Sequence, residues 1–578
     1  MNRNTFNEIV KKYLYLIYSK ELNKTDIENF FFKINKIFKF KKSVKKKNQL
    51  WDEKDFFLIT YADSIIKQNQ ANLKTLCIFL NKYCKVFKYV HILPFFPYTS
   101  DDGFAVKDYK KIEKRHGNWN DLKKITDDFK IMSDLVINHC SSENKLFINF
   151  LKGKKPESNF FISLEKNIKG LSEVVRPRSS DLLKKVYVNG AEKYVWCTFS
   201  HDQVDFNFKN LEVLIYFIEV IKFYLDKNIK AIRLDAIAFL WKELGTKCIN
   251  LKQTHEIIRL LRFIIEYFYN DVLLITETNI PSHENLSYFG NNNEAHSIYN
   301  FTLAPLLINA IISGNSFYLK KWSRSMPPAQ ENNSYLNFLS SHDGIGMRPI
   351  EGILPSEEID KYLKFLQKQG GLLTYRSNKN NKTVYEVNIT LFDALKKTYF
   401  EEDDFSIKRF TLAHTIMFAF EGIPAVYIQN FIGSDNDYLK VKKTGINRSI
   451  NRKNWDYTDL CKKLDSKSSV NFKIYGALSN IIIIRKKQKA FHPNATQFTL
   501  QLNDDFFGLW RQSIDRSQSI FCISNLTKQE KKISMFDINL ISTDSWYDLL
   551  SKKKIKVDDN ELIFLPYQTM WITNKKMI

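Results

Sequence analysis

Eight short, nearly uninterrupted apolar runs recur along the chain, separated by longer stretches of helical period, and this alternation restricts the fold more than any other feature. The runs are FFLITYAD (56–63), VHILPFFP (90–97), KIMSDLVINH (130–139), IKAIRLDAIAF (229–239), VLLITETN (272–279), SIYNFTL (297–303), YLNFLSSHDG (335–344) and IPAVYIQN (423–430). A run that is apolar throughout, and does not alternate with polar residues, suits a parallel strand buried on both faces. The stretches between them, such as LEVLIYFIEVIKFYLD (211–226) and THEIIRLLRFIIEYFY (254–269), repeat their apolar residues every three to four positions, as helices do. Eight such units predict an α/β chain folded as a (β/α)8 TIM barrel.

The spacing is even except in one place. Roughly ninety residues separate His139 from Ile229, with short β-like pieces among them, which predicts a subdomain inserted after the third strand. Beyond about residue 490 short alternating runs with turn residues between them predict a terminal antiparallel β domain. The expected layout is a basic helical segment over 1–50, with Phe30, Phe31, Ile34, Ile37 and Phe38 at helical spacing, and then the first part of the barrel over 51–139. The insertion occupies 140–205, the second part of the barrel 206–488 with long loops around 350–400, and the β domain 489–578.

Composition narrows the function classes. The 87 Lys and Arg against 63 Asp and Glu leave a net charge of +24, which invites a nucleic-acid reading. The lysines are spread over the whole length, however, and the densest run, Lys39 to Lys47, has no zinc-finger spacing or RNP-like aromatic motif beside it, so no nucleic-acid partner is expected. The excess charge suits an anionic substrate better. Seven scattered cysteines without a C-x-x-C pair argue against structural zinc and against a disulfide framework. The apolar stretch Leu14 to Tyr18 is too short for a signal h-region, and no run approaches the roughly 20 residues of a membrane span, so a cytoplasmic protein without a membrane partner is expected.

In a barrel of this kind the site lies at the C-terminal ends of the strands. Several runs end there in ionisable residues: Asp134 and His139, Arg233 and Asp235, Glu277, His342 and Asp343. Singly, an Asp after a strand is more often a helix cap than a catalyst, and a lone His there more often a hydrogen-bonded structural residue. Together they converge on one mouth, and carboxylates beside an arginine with no metal motif suit glycosyl transfer through an oxocarbenium-like transition state. Arg233 and Asp235, two apart on one strand, point the same way, so the arginine is expected to keep Asp235 ionised.

The segments DLVINH, IRLDAIAF, ITETN and SSHDG, in that order, closely resemble the four signature regions of the α-amylase superfamily (glycoside hydrolase family 13), over about residues 50–460. The resemblance implies Asp235 as nucleophile, Glu277 as acid/base and Asp343 as transition-state stabiliser, with His139, Arg233 and His342 binding substrate. It narrows to the sucrose phosphorylase group through LITYAD, LPFFPYTSDDGFAVKDY, RPR, QVD, LDAIAFLWKELGTKC and SHDGIG. By that resemblance Asp101 and Phe104 grip the glucosyl unit, Arg178 serves phosphate and acceptor, and Gln203 and Phe239 join the binding set. Arg452 resembles a further sugar-binding arginine, with Arg448 as a rival. Tyr385 followed by Glu386 stands in an acceptor-site loop where sucrose-dedicated members have Tyr followed by Gln.

The activity so implied is a double displacement: a covalent β-glucosyl-enzyme forms on Asp235, and inorganic phosphate then takes the sugar as α-glucose 1-phosphate. Two inversions give retention and predict carboxyl groups about 5–5.5 Å apart. No cofactor is expected, and no metal, although Asn138 matches a calcium ligand of amylase relatives. ITETNIPSHENLSYFG, YEVNIT and VYIQNFIGSDNDY look closer to the branch that phosphorolyses 2-O-α-glucosylglycerate than to sucrose enzymes. The expected partners are therefore an α-glucoside and phosphate, with a homodimer left open. Sucrose or its 6-phosphate as substrate, a hydrolase or transglucosylase on the same barrel, a non-catalytic binding protein, and Glu386 as an exposed acid without a role all stay open at this point.

Overall fold

A computed structural model describes residues 2–19, 22–39, 49–166, 168–178, 180–378, 381–400, 402–538, 546–555 and 560–574. All but the first residue of the basic run Lys39 to Lys47 lies outside them.

Eight parallel strands close into a barrel: β1 (Phe57–Thr60), β2 (Tyr89–Ile92), β3 (Lys130–Val136), β4 (Ile229–Asp235), β5 (Leu273–Thr276), β6 (Ser297–Asn300), β7 (Ser334–Asn337) and β8 (Ile423–Tyr427). Each pairs with its neighbours in chain order, and β8 returns to β1 with Phe57 opposite Ala425. All eight runs therefore contain a barrel strand, but every strand is shorter than its run. The remainder of each run is buried or half-buried beyond the strand and forms the loops of the mouth. That is why continuous apolarity marked the strands without marking where they stop.

Helices follow the strands and cover the barrel. Asn72–Tyr83, Trp119–Thr126, Leu211–Asp226, Lys252–Phe268, Leu303–Ser313, Ser406–Ala419 and Val470–Arg485 are among them, and after β5 there is only the short Ser282–Leu286. Lys252–Phe268 shows the sequence cause: Ile257, Ile258, Leu261, Ile264 and Ile265 fall on one face and are all buried. Asn210 caps Leu211–Asp226 by accepting from the Glu212 N–H at 3.0 Å.

The long gap after β3 holds the strand His139–Ser141, paired antiparallel with Gln203–Asp205, and the hairpin Leu183–Val188 with Ala191–Trp196. Beyond β7, Ile345–Gly346, Leu372–Asn378 and Asn381–Asn388 make a three-stranded antiparallel sheet. The chain ends in an antiparallel sheet of six strands and a separate pair, Lys531–Ser534 with Glu561–Phe564.

Two buried arginines hold the terminal sheet to the barrel. Arg511, inside the sheet, donates to the Ala419 carbonyl at 2.8 Å and to that of His492 at 3.0 Å, and Arg485 donates to Phe418 at 2.7 Å and Phe491 at 3.0 Å. The stacked rings of Phe420 and Phe507, 5.6 Å apart, close the same seam. At the other end of the chain Arg3–Tyr18 lies on Lys252–Phe268, its Phe6 ring 4.3 Å from that of Tyr267. Phe30, Ile34 and Phe38 of Lys24–Phe38 are buried, and Phe38 stacks on Phe268 at 4.1 Å.

All seven cysteines are free thiols. Among the described residues no helix is long and apolar enough to cross a membrane, and no cluster of His, Cys, Asp and Glu is arranged to hold a metal ion.

Candidate active site

The mouth of the barrel is built around Arg233, near the end of β4. Its guanidinium pairs with Asp134 of β3, reaches Asp235 Oδ1 at 3.0 Å and stands 3.6 Å from Glu277 Oε2. Asp134 accepts a second hydrogen bond, 2.7 Å, at His91 Nε2 of β2. Burial alone would raise the Asp134 carboxyl, but Arg233 and then His91 outweigh it and hold it down at about 2. Asp134 is therefore a fixed anion that orients Arg233, and Arg233 in turn faces both mouth carboxyls.

Two sharp turns aim the acids. Ala236, directly after Asp235, has φ of 52°, a left-handed conformation that costs a residue with a side chain about 1–2 kcal/mol. The turn presents the Ala236 N–H to Glu277 Oε2 at 3.1 Å, which ties the end of β4 to the loop after β5. In the Asp-Asp-Gly-Phe turn after β2, Asp101 and Asp102 have φ of 53° and 47°, and Gly103 has 114°. A Cβ on Gly103 would lie 2.6 Å from the Pro94 carbonyl oxygen, so only glycine fits. The turn directs Asp101 into the mouth and lays Phe104 flat on His342, with ring centres 5.0 Å apart.

The electrostatics differ among the three acids. Burial raises Asp235, opposed by Arg233 and reinforced by Glu277; burial likewise raises Glu277, again opposed by Arg233 and reinforced by Asp343. Arg233 alone therefore does not guarantee an ionised Asp235. As a unit, the Asp235–Glu277 pair retains a proton to higher pH than an isolated acid. The shorter contact to Arg233 favours the charge on Asp235 and the proton on Glu277. Asp343 is the opposite case. Burial would raise it, but Arg448 at 2.6 Å, with His342, overrides burial and holds it well below the usual carboxylate range. Burial keeps His139 neutral, down at about 4, and it meets Gln203 Nε2 at 3.1 Å.

Twelve of the residues expected at the site line one pocket: Asp101, Phe104, His139, Arg178, Gln203, Arg233, Asp235, Phe239, Glu277, His342, Asp343 and Tyr385. Two do not. Arg452 stands behind the wall, donating to the His342 carbonyl at 2.8 Å and to Asp102 at 2.6 Å, so it braces residues that face the pocket. Glu386 is not an exposed loop acid: it is 1% exposed and accepts two hydrogen bonds from Arg448, each 2.8 Å. Arg448, the rival of Arg452, is the arginine that lines the pocket. The antiparallel register explains this arrangement. Thr374 pairs with Glu386 and Tyr375 with Val384, which leaves Tyr385 as the extra residue of a β-bulge. The bulge turns Tyr385 to the pocket, while Glu386 stays on the other face beneath Arg448.

Sequence reading missed His91, Asn279 and Arg348. His91 interrupts the second apolar run, a signal that was present. Asn279 follows Glu277 by two positions, donating to the Tyr385 hydroxyl at 3.3 Å, and only the folded loop brings it there.

Asn138, which matches a calcium-ligand position of amylase relatives, has its side-chain oxygen taken by the Lys242 ammonium at 2.5 Å, and the same ammonium pairs with Asp205 at 2.7 Å. Asp205 also accepts from the Thr198 N–H at 3.0 Å. An internal cation thus neutralises this buried carboxylate beneath His139. Lys242→Met is expected to lower stability by about 3–5 kcal/mol, because it strands a buried charge. Urea unfolding at neutral pH would measure the loss, and a loss under 1 kcal/mol would refute the account.

The barrel with its convergent acids defines an α-amylase-type site, and residues 85–348 match the α-amylase catalytic domain. The glucosylglycerate phosphorylase of Spirochaeta thermophila is 38% identical over 531 residues, 90% of each chain, and that of Escherichia coli is 37% identical over 532 residues, 91% of this chain and 93% of the relative. The crystal structure of sucrose 6F-phosphate phosphorylase from Thermoanaerobacter thermosaccharolyticum superposes with a TM-score of 0.71 at 26% identity, over 84% of this chain and 95% of that one. The chain belongs to the family of glucoside phosphorylases, within the α-amylase superfamily, that contains these proteins.

Proposed function

We propose that the protein is a retaining phosphorylase of 2-O-α-glucosylglycerate. The observation that carries this reading is the 38% identity to a glucosylglycerate phosphorylase over 90% of both chains. The pocket is consistent with it, since two arginines, Arg178 and Arg348, line it together with Asp235, Glu277 and Asp343.

In the first half-reaction an Asp235 oxygen attacks the anomeric carbon while Glu277 gives its proton to the departing glycerate oxygen. The bond from carbon to glycerate breaks, and a β-glucosyl ester forms on Asp235. Asp343, paired with Arg448, stays ionised and faces the positive charge that develops on the sugar. In the second half-reaction a phosphate oxygen attacks the same carbon, Glu277 takes up a proton, and Asp235 leaves as carboxylate. Asp101, Phe104, His139, Gln203 and His342 hold the glucosyl unit, and Phe239 borders the acceptor side. No cofactor or metal takes part, nucleic acid and membrane are not partners, and the free thiols suit the cytoplasm.

The test offers glucosylglycerate, sucrose and sucrose 6′-phosphate in parallel with inorganic phosphate and measures glucose 1-phosphate. Product from glucosylglycerate, well above the other two, is expected. Product from sucrose alone would replace the substrate, and free glucose without glucose 1-phosphate would replace phosphorolysis by hydrolysis.

A further inference from the structure

The charged groups of the pocket are unevenly matched. In the half that holds the acids every arginine has a carboxylate: Arg233 has Asp134 and Asp235, Arg448 has Asp343 and Glu386, and Arg452, behind the wall, has Asp102. The other half differs. Arg178 and Arg348 both line it and, among the described residues, neither has an ion-pair partner within 4.0 Å. Arg178 lies over the Tyr385 ring, 5.9 Å from its centre. Arg348 follows Met347, whose N–H donates to the Tyr385 carbonyl at 3.0 Å, so the two arginines stand around one tyrosine.

Arg348 is held apart from the acids nearest to it in sequence. Glu351, three residues on, pairs instead with Arg376 at 2.7 Å, and the Arg348 Nε is buried with no hydrogen-bond partner. A guanidinium in that setting is costly unless an anion arrives to meet it. In the lining of the same pocket, Asn279 Oδ1 is also buried and unpartnered, an acceptor with a free lone pair. An unpaired cation and an unpaired carbonyl oxygen in one pocket match a small hydroxy acid, whose carboxylate and hydroxyl would satisfy both. It does not match a neutral leaving group such as a fructosyl unit or glycerol.

We infer that Arg348 determines leaving-group specificity by binding the carboxylate of the departing glycerate, with Asn279 accepting a hydrogen bond from a glycerate hydroxyl. This rests on the phosphorylase reading above. It separates Arg348 from Arg178: phosphate, the second anion, needs a cation whether or not the leaving group is charged, whereas Arg348 matters most when the leaving group carries a carboxylate.

The experiment compares kcat/KM for glucosylglycerate with that for glucosylglycerol, in which a neutral hydroxymethyl group replaces the carboxylate, in the wild type, Arg348→Gln and Arg348→Lys. For Arg348→Gln the ratio of the two is expected to fall about 10- to 100-fold, the range for loss of a charge-assisted hydrogen-bonded pair, with Arg348→Lys recovering part of it. Calorimetry with D-glycerate is expected to show binding to the wild type that weakens by a similar factor in Arg348→Gln. Equal losses on both substrates, with glycerate binding retained, would overturn the assignment while leaving the phosphorylase reading intact. A wild type that releases no glucose 1-phosphate from glucosylglycerate but does so from sucrose would overturn the reading and the inference with it. Thermal melts of both variants separate a folding defect from these outcomes, and Arg348→Lys supplies the ratio if Arg348→Gln does not fold.

Discussion

Asp235→Asn is expected to lower kcat for glucosylglycerate phosphorolysis by at least about 10⁴-fold while the protein stays folded. Asparagine keeps the shape of the side chain and can still meet Arg233, which retains its pair with Asp134, so the frame of the mouth survives. What is lost is the anion that would attack carbon, and no other mouth carboxylate replaces it: Asp343 is held by Arg448, and Glu277 is tied to the Ala236 N–H. Glu277→Gln separates the two roles. Its loss on glucosylglycerate is expected to be comparable, but it should recover much of the first half-reaction on α-glucosyl fluoride, whose leaving group needs no proton. Asp235→Asn should recover nothing. Burst kinetics and mass spectrometry of the trapped ester would decide it, and a glucosyl ester on Asp235→Asn would remove Asp235 from its proposed role.

Arg448→Met is the second large effect. The guanidinium neutralises Asp343 and Glu386 together, and its loss leaves Glu386 without an ion-pair partner among the described residues and Asp343 with the His342 imidazole 3.6 Å away, at a cost of about 3–5 kcal/mol in stability. The pH dependence has a definite sign. Asp343 is held below its unfolded value, so its contribution to stability is fully present above the ordinary carboxylate range near about 4 and disappears as pH falls through its lowered folded value. Removing Arg448 lets the Asp343 carboxyl rise, so the variant is destabilised most at neutral pH, and the gap to the wild type narrows in acid. The same change should move the acid limb of kcat to higher pH and reduce kcat by about 10²–10³-fold, as for loss of one preorganised electrostatic contact. Unfolding at pH 7 and pH 4 tests the first claim. A gap independent of pH would mean that Arg448 acts by packing and not by charge.

The barrel and its acids were legible because they depend on short-range pattern. A strand buried on both faces must be apolar throughout, and the ends of such strands must meet at one mouth, so the positions of Asp134, Arg233, Asp235 and Glu277 followed from eight runs and their order. The same logic located the long excursion after β3 and the terminal β region. Strand ends were not legible, because buried apolar residues such as Ile237, Phe239 and Phe338 continue past the last paired residue of a strand into the loops over the mouth.

Whether an arginine beside the site faces substrate or braces a wall was decided only in three dimensions. Arg448 and Arg452 lie four residues apart in nearly identical local sequence, INR-S-INR, yet one lines the pocket and the other stands behind it on Asp102. Glu386 looked like a loop acid in the sequence, and a β-bulge at Tyr385 put it beneath Arg448. Arg348 carries no motif, and its significance comes from Glu351 being engaged by Arg376. Sequence alone thus determined the barrel, the order of its strands and the acids at their ends, since periodicity and chain order are local properties. Which charges are paired and which remain free for a ligand depends on long-range partners brought together by folding, and only the tertiary structure decided that.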